Sequence, residues 1–432
     1  MATLDARTLP LDPTTTQTLA GSGFEYREVD VRSAEFSPFT RAIARGFLGE
    51  DLTDEQVESS RERVGGRRLT GVYDPHAADP ATPVATVDSW VTALSLPGRR
   101  TVPMWAISGV TVSPTRRRRG IARAMVEGEL RAAAGGGVAV AGLTVSEATI
   151  YSRFGFAPAA FSTDWTIDTR RARWTGPMPG GRLDAVDRER LRAELEALHD
   201  RTRASHPGDI EGWTGLWRRI AGLAPGYDER KVRGVLHTDD AGVVRGALAY
   251  SITQNDDDNA AATLTVLHLV SDGGDAYRAL WRFALEHDLV ATVTAPLRSV
   301  DEPLRWMIAD QRAARVTTRE HHWLRVLDVP AAIAARTYSA PAALAVGVSD
   351  HLGFAHGVWR LELHDEGNGT AQPIDAVADL TMSVNELAAI LLGGVRASTL
   401  HTAGRIEGSR DAVATLDRAF ASPDTPYLRI WY

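Results

Sequence analysis

Arg116, Arg117, Arg118, Arg119 and Arg123 crowd one short stretch, with Gly120 and Ala122 set among them. The chemistry such a stretch serves is anion binding. It lies between an apolar, β-branched run (Ile107, Val110, Val112) and a helical pattern with Ile121, Ala124, Met125 and Gly128 at i, i+3, i+4, i+7. The first N–H groups of a helix have no internal partners, and its dipole is positive at that end. Cations placed there oppose the dipole, and a phosphate resolves the conflict. Small residues at 120 and 122 let backbone approach the anion closely. A solvated basic turn, the usual meaning of a charge run, is the alternative reading.

The wider stretch Ile107–Phe156 adds a second strand pattern, Val138 to Val145, and a short segment ending in Tyr151. Its signature Arg117-x-x-Gly120-x-Ala122 after a strand resembles the acyl-CoA site of the GNAT superfamily of N-acetyltransferases. The runs SGVTVSPTRRRRGIARAM and SEATIYSRFGF narrow the resemblance to the Eis (enhanced intracellular survival) family, from about residue 25 to the C-terminus. That resemblance implies a strand splayed from its neighbour, with Val110, Thr111 and Val112 meeting the acetyl-pantetheine arm through backbone atoms. The Val112 N–H would be the oxyanion donor. Arg117, Arg118, Arg119, Gly120, Ile121, Ala122 and Arg123 would surround the pyrophosphate, and Ser146 and Glu147 would touch CoA further along.

Tyr151 reads on its own as a half-buried aromatic with a satisfied hydroxyl. By resemblance it is the general acid that protonates the departing CoA thiolate. A phenol of pKa about 10 protonating a thiol of pKa about 8.5 is uphill in water and improves when the thiolate is desolvated. For the base, Asp88, Glu50, Asp51 and Glu147 are all available and none stands out by spacing. The Eis resemblance points instead to the C-terminal carboxylate, here that of Tyr432. The chain ends Tyr427-Leu428-Arg429-Ile430-Trp431-Tyr432, which is apolar and aromatic where most ends are polar and frayed. A last strand of the third domain also explains that pattern, and both readings hold together. Eis proteins with broad aminoglycoside activity can carry an acid at the penultimate position; Trp431 stands there and offers only a cation–π contact. Glu50 and Asp51 remain candidates for attracting a cationic substrate.

The elements that must position these groups fit an α/β chain with mixed α+β sheets. The 432 residues imply two or three domains. We expect a disordered tail over 1–20, a catalytic GNAT domain over 21–170, a degenerate GNAT-like domain over 171–322 and a sterol-carrier-protein-like domain over 323–432. In the first domain, strands are expected at Phe24–Val31, Gly71–Tyr73, Val84–Leu94 and Val102–Val112, with helices at Phe39–Leu48 and Thr53–Glu62, the second capped by Thr53. Pro177, Pro179, Gly180 and Gly181 mark the junction. In the second, Asp272 and Asp275 stand where the first has arginines and would repel a pyrophosphate. The third resembles the sterol-carrier-like domain of Eis proteins in element order and in ADLTMSVNELAAILLGG and RASTL.

Composition excludes several classes. Hydrophobic content of 44% and charged content of 24% describe a globular chain, and a net charge of −7 disfavours nucleic acid as partner. No apolar run approaches the ~20 residues that span a bilayer. The first residues lack a signal-peptide core, so the expected location is cytoplasmic. With no cysteine there is no disulfide, no thiolate zinc site and no acyl-cysteine intermediate. Lysine is represented by Lys231, which excludes a Walker A loop. His321-His322 has no metal spacing, there is no Gly-x-Ser-x-Gly elbow, and no metal is expected. Trp213, Trp217, Trp281 and Trp306 read as core or interface. The implied function is acetyl-CoA-dependent acetylation of primary amines, on aminoglycosides or lysine side chains, by direct attack in a ternary complex. Resemblance also implies a homohexamer. The alternative is a non-catalytic acyl-CoA or lipid-binding regulator on the same fold.

Overall fold

The computed structural model describes residues 4–226, 229–364 and 367–432. Twelve strands form one sheet: β1 (Glu25–Glu28), β2 (Arg68–Tyr73), β3 (Ala85–Leu96), β4 (Arg100–Val112), β5 (Val140–Thr144), β6 (Ala157–Asp168), β7 (Arg182–Val186), β8 (Arg233–Thr238), β9 (Val244–Thr253), β10 (Ala262–Ser271), β11 (Val290–Arg298) and β12 (Ala314–Val326). Their order is β1-β2-β3-β4-β5-β12-β6-β11-β10-β9-β8-β7. The two halves have therefore exchanged their last strands. β12 lies antiparallel between β5 and β6, and β6 lies between β12 and β11. The expected boundary between residues 322 and 323 falls inside β12, because that strand belongs to both halves of the sheet. A separate five-stranded sheet carries the C-terminal unit.

Residues 4–20 are not a disordered tail. Asp12 caps helix α1 (Pro13–Gly21), accepting from Thr15 N at 2.7 Å, with Pro13 at the first helical position. Thr15 is fully buried and donates to Ala124 O at 2.9 Å. Ala124 lies in helix α4 (Ile121–Gly135), which follows helices α2 (Phe36–Gly46) and α3 (Asp54–Val64). Gly128 of α4 makes this approach possible, since a Cβ there would collide with the Thr15 hydroxyl. Arg131 then pairs with Asp12 at 2.9 Å. Thr53 caps α3 in a capping box, as its sequence position implies.

The third unit docks through charge held out of water. Arg325 on β12 is fully buried and reaches both carboxylate oxygens of Asp350 at 2.7 Å and Phe154 O at 2.8 Å. Asn385 donates to Ser152 O and Phe156 O, both at 2.8 Å. Beyond helix Arg410–Phe420 the last residues do not form the strand anticipated for them. They run back along the large sheet, making single contacts such as Tyr427 N–H to Pro207 O at 2.8 Å. We predict that Arg325→Met, which leaves Asp350 without its counter-charge, costs about 3–5 kcal/mol, read as an earlier urea transition.

Candidate active site

β4 and β5 run parallel for only three residue pairs, Met104–Ala106 against Val140–Gly142. β4 then continues beside β3 alone, through a bulge next to Gly109, whose φ of +60° suits glycine. Ser113 N–H bonds to Val84 O at 2.8 Å, and N–H directions alternate along a strand. The N–H groups of Val110 and Val112 therefore face the gap left by β5. By the same alternation the Thr111 N–H faces β3, away from the gap, and its buried hydroxyl shares a 2.7 Å hydrogen bond with the Thr86 hydroxyl. The expected open edge is present.

The arginine turn follows. Arg118 and Gly120 both have left-handed backbone, φ +62° and +77°, which aims the chain into α4 with no side chain capping its first N–H groups. Ile121 is buried and anchors the helix, Ala122 is half-buried, and Gly120 faces open space. Arg116 is committed to Asp74 at 2.8 Å. Arg117 donates to Val112 O at 3.4 Å. Arg118 and Arg119 are exposed, and among the described residues neither pairs with a carboxylate. Arg123 lies 4.0 Å from Glu127. Uncompensated cations at an uncapped helix start form a cradle for an anion. Ser146 and Glu147 are exposed beyond the end of β5, with Glu147 accepting from Thr149 at 3.2 Å.

Tyr151 opens a single turn, Tyr151–Phe154, and its ring meets Phe156 edge-on at 6.2 Å. Burial, aided by Glu147, pushes its phenol up to about 12, so it stays protonated at neutral pH. At the other end of the chain, Thr144 Oγ1 donates to the Tyr432 terminal oxygen at 2.5 Å. The Tyr432 phenol lies 2.7 Å from His322 Nε2, and His322 Nδ1 lies 2.9 Å from Gly208 O. A carbonyl needs a donor, so Nδ1 carries the proton and Nε2 accepts from the phenol. Trp90 meets the Tyr432 ring edge-on at 5.5 Å. Arg67 stacks over Trp90 at 3.6 Å and Trp213 at 4.8 Å, and pairs with Asp88 at 2.7 Å.

Several sequence candidates are engaged by other groups. Asp88 is buried against Arg67 and is occupied by that pair. Glu50 and Asp51 line a cavity of about 380 Å³ with Phe47, Arg63 and Arg218, where positive charge offsets theirs. Trp431 packs on His321 at 4.6 Å with the Arg319 guanidinium at 5.6 Å, so its ring already has a cation. Trp217 and Trp281 are core, whereas Trp306 is exposed. Thr144, His322, Arg67 and Trp90 were not legible as a group. The one signal was the unexplained pair His321-His322 close to the end of the second domain.

In the second half of the sheet, β10 and β11 likewise part after Thr265. There the gap is filled. Buried Arg298 donates to the Tyr427 phenol oxygen at 2.5 Å and to Leu269 O at 3.5 Å, and Tyr427 donates to Leu297 O. Asp272 is taken by Arg201 and Arg245, and Asp275 by Arg278.

A family description of an acetyltransferase (GNAT) domain matches residues 25–159, a second such description matches 210–326, and a sterol carrier protein domain matches 329–429. These define the class: tandem acetyltransferase units carrying a sterol-carrier domain. An uncharacterized N-acetyltransferase of Streptomyces avermitilis is 35% identical over 409 residues, covering 90% of this chain and 95% of that protein. N-acetyltransferase Eis of Mycobacterium tuberculosis is 35% identical over 347 residues, covering 77% and 81%. The crystal structure of Eis1 from Mycobacterium abscessus matches with a TM-score of 0.79 at 29% identity, covering 95% of this chain and all of that one. The chain belongs to the Eis family of GNAT N-acetyltransferases. Among the described residues no helix is long and apolar enough to cross a membrane.

Burial holds His322 down to about 3 and His321 to about 4, well below the ordinary 6.5. Unfolding frees both to bind protons, so their contribution to stability is complete above pH ~6.5 and is lost as pH falls toward 4 and 3. Imidazole nitrogen NMR is expected to show His322 neutral and Nδ1-protonated from about pH 5 to 8. A His322 signal titrating near 6.5 contradicts the site geometry.

Proposed function

We propose that the protein transfers the acetyl group of acetyl-CoA to a primary amine by direct attack in a ternary complex. The observation that carries this reading is the chain's own carboxylate, brought by a long return segment to Thr144, where β5 has parted from β4. The amine nitrogen attacks the thioester carbonyl carbon, and the Val112 N–H receives the developing oxyanion. The Tyr432 carboxylate takes the amine proton, directly or through water. The C–S bond then breaks, and Tyr151 gives its phenol proton to the thiolate. Arg117, Arg118, Arg119 and residues 120–123 hold the pyrophosphate, with Val110, Ser146 and Glu147 along the rest of CoA, whereas Thr111, turned toward β3, takes no part. Holding both substrates together supplies the proximity that a covalent acyl-enzyme supplies elsewhere.

In this reading the second GNAT unit binds no CoA, since Arg298 and Tyr427 occupy its gap. The acceptor is an aminoglycoside amine or a lysine side chain, the enzyme works in the cytoplasm, and it assembles as a homohexamer. A non-catalytic regulator has less support, because the chain belongs to a family of N-acetyltransferases.

Three variants test the assignment with a thiol-release assay over kanamycin, neomycin, a polyamine and a lysine peptide. Tyr151→Phe is expected to lower kcat about a hundredfold while acetyl-CoA affinity stays within about twofold. Gly120→Val, which puts a β-branched residue at φ +77° in front of the helix, is expected to weaken acetyl-CoA binding instead. Extension by a few residues after Tyr432 is expected to abolish turnover and spare acetyl-CoA binding. Activity that survives extension moves the base into the first domain.

A further inference from the structure

Thr144 on β5 and His322 on β12 are direct partners across the antiparallel ladder. Each grips one end of the same residue. Thr144 takes the terminal oxygen of Tyr432 and His322 takes its phenol. Upstream the segment is pinned at short intervals: Tyr427 to Arg298, Arg429 to buried Asp209 at 2.6 Å, and Ile430 O to His321 Nε2 at 2.9 Å. Chain ends fray unless tied down. A carboxylate held by one threonine hydroxyl could still swing, because nothing in that bond fixes the Cα to which it is attached. The ring does fix it: the phenol is bound to His322 and the ring packs edge-on with Trp90 at 5.5 Å. His322 is itself immobile, being fully buried with Nδ1 bound to Gly208 O.

We propose that His322 is a positioning residue for the terminal carboxylate, acting through the phenol of Tyr432. The side chain of the last residue then matters as well as its carboxylate. This inference rests on the reading of that carboxylate as the base. His322 touches no reacting atom in it; it sets where the carboxylate stands. The strand exchange is what makes this possible, since β12 comes from the second half of the chain and β5 from the first.

The test uses the full chain. Tyr432→Phe keeps the carboxylate and loses the phenol. His322→Asn keeps a donor for Gly208 O and loses the acceptor, whereas His322→Gln keeps an acceptor near Nε2. We expect Tyr432→Phe and His322→Asn each to lower kcat about five- to tenfold with the acetyl-CoA KM unchanged, the scale of one lost hydrogen bond. The double variant should be no worse than either single one, and His322→Gln should recover much of the rate. Carboxypeptidase A should release residue 432 faster from Tyr432→Phe and His322→Asn than from the native chain, a readout independent of activity. Additive losses, or unchanged release, overturn the inference. If His322→Asn does not fold, Tyr432→Phe alone decides through the same two readouts. Should both variants keep native turnover while the extended chain is inactive, the positioning role falls and the base assignment stands. Should the extended chain be active as well, the base assignment falls with it.

Discussion

The divergence of β4 from β5 after three residue pairs is the constraint on which the rest of the site depends. A parallel pair that continued would satisfy the Val110 and Val112 N–H groups within the sheet and leave none for a ligand. β5 stays part of the sheet beyond that point through β12, which pairs with its other edge. The sheet therefore holds β4's outer edge open while remaining continuous. The Gly109 bulge and the left-handed backbone at Arg118 and Gly120 turn the chain from that edge into α4. Strand edge, arginine turn and helix start are consequences of one geometric break.

The same break occurs in the second half of the sheet with the opposite outcome. Arg298 and Tyr427 fill the space between β10 and β11, and the two aspartates of the following turn are tied to arginines. Filling that gap turns the second unit into an anchorage for the last residues of the chain. The third domain completes the path, because buried Arg336 donates to Phe420 O at 2.8 Å and Ser339 to Ala421 O at 2.7 Å where the return segment begins. Each unit thus contributes to a single position at the end of β5.

Much of this was legible in the sequence. The arginine run between an apolar strand and a helical pattern marked the uncapped start of α4 with its exposed cations, because that feature is local. Strand and helix order within each third of the chain was readable for the same reason. Strand exchange was not, since hydrophobic alternation in β12 is the same whichever neighbours it pairs with. Nor was the folded N-terminal segment: Asp12-Pro13 is a cap signal, but a threonine-rich stretch reads as polar until Thr15 is seen buried against Ala124. His321 and His322 were weighed only as metal ligands, and their role as hydrogen-bond partners of the chain end required the return path to be known. The carboxylate of Tyr432 was reached through family resemblance. Its neighbours Thr144, Trp90 and Arg67 come from the fold alone.

In the proposed reaction the charge at the end of the chain takes the amine proton. The direct measurement is turnover by semisynthetic protein whose Tyr432 ends in a carboxamide, which keeps the residue, its phenol and its shape and removes only the charge. The amide should keep native acetyl-CoA affinity and the Tyr432–His322 hydrogen bond and lose amine acetylation. Full turnover by the amide would contradict that role.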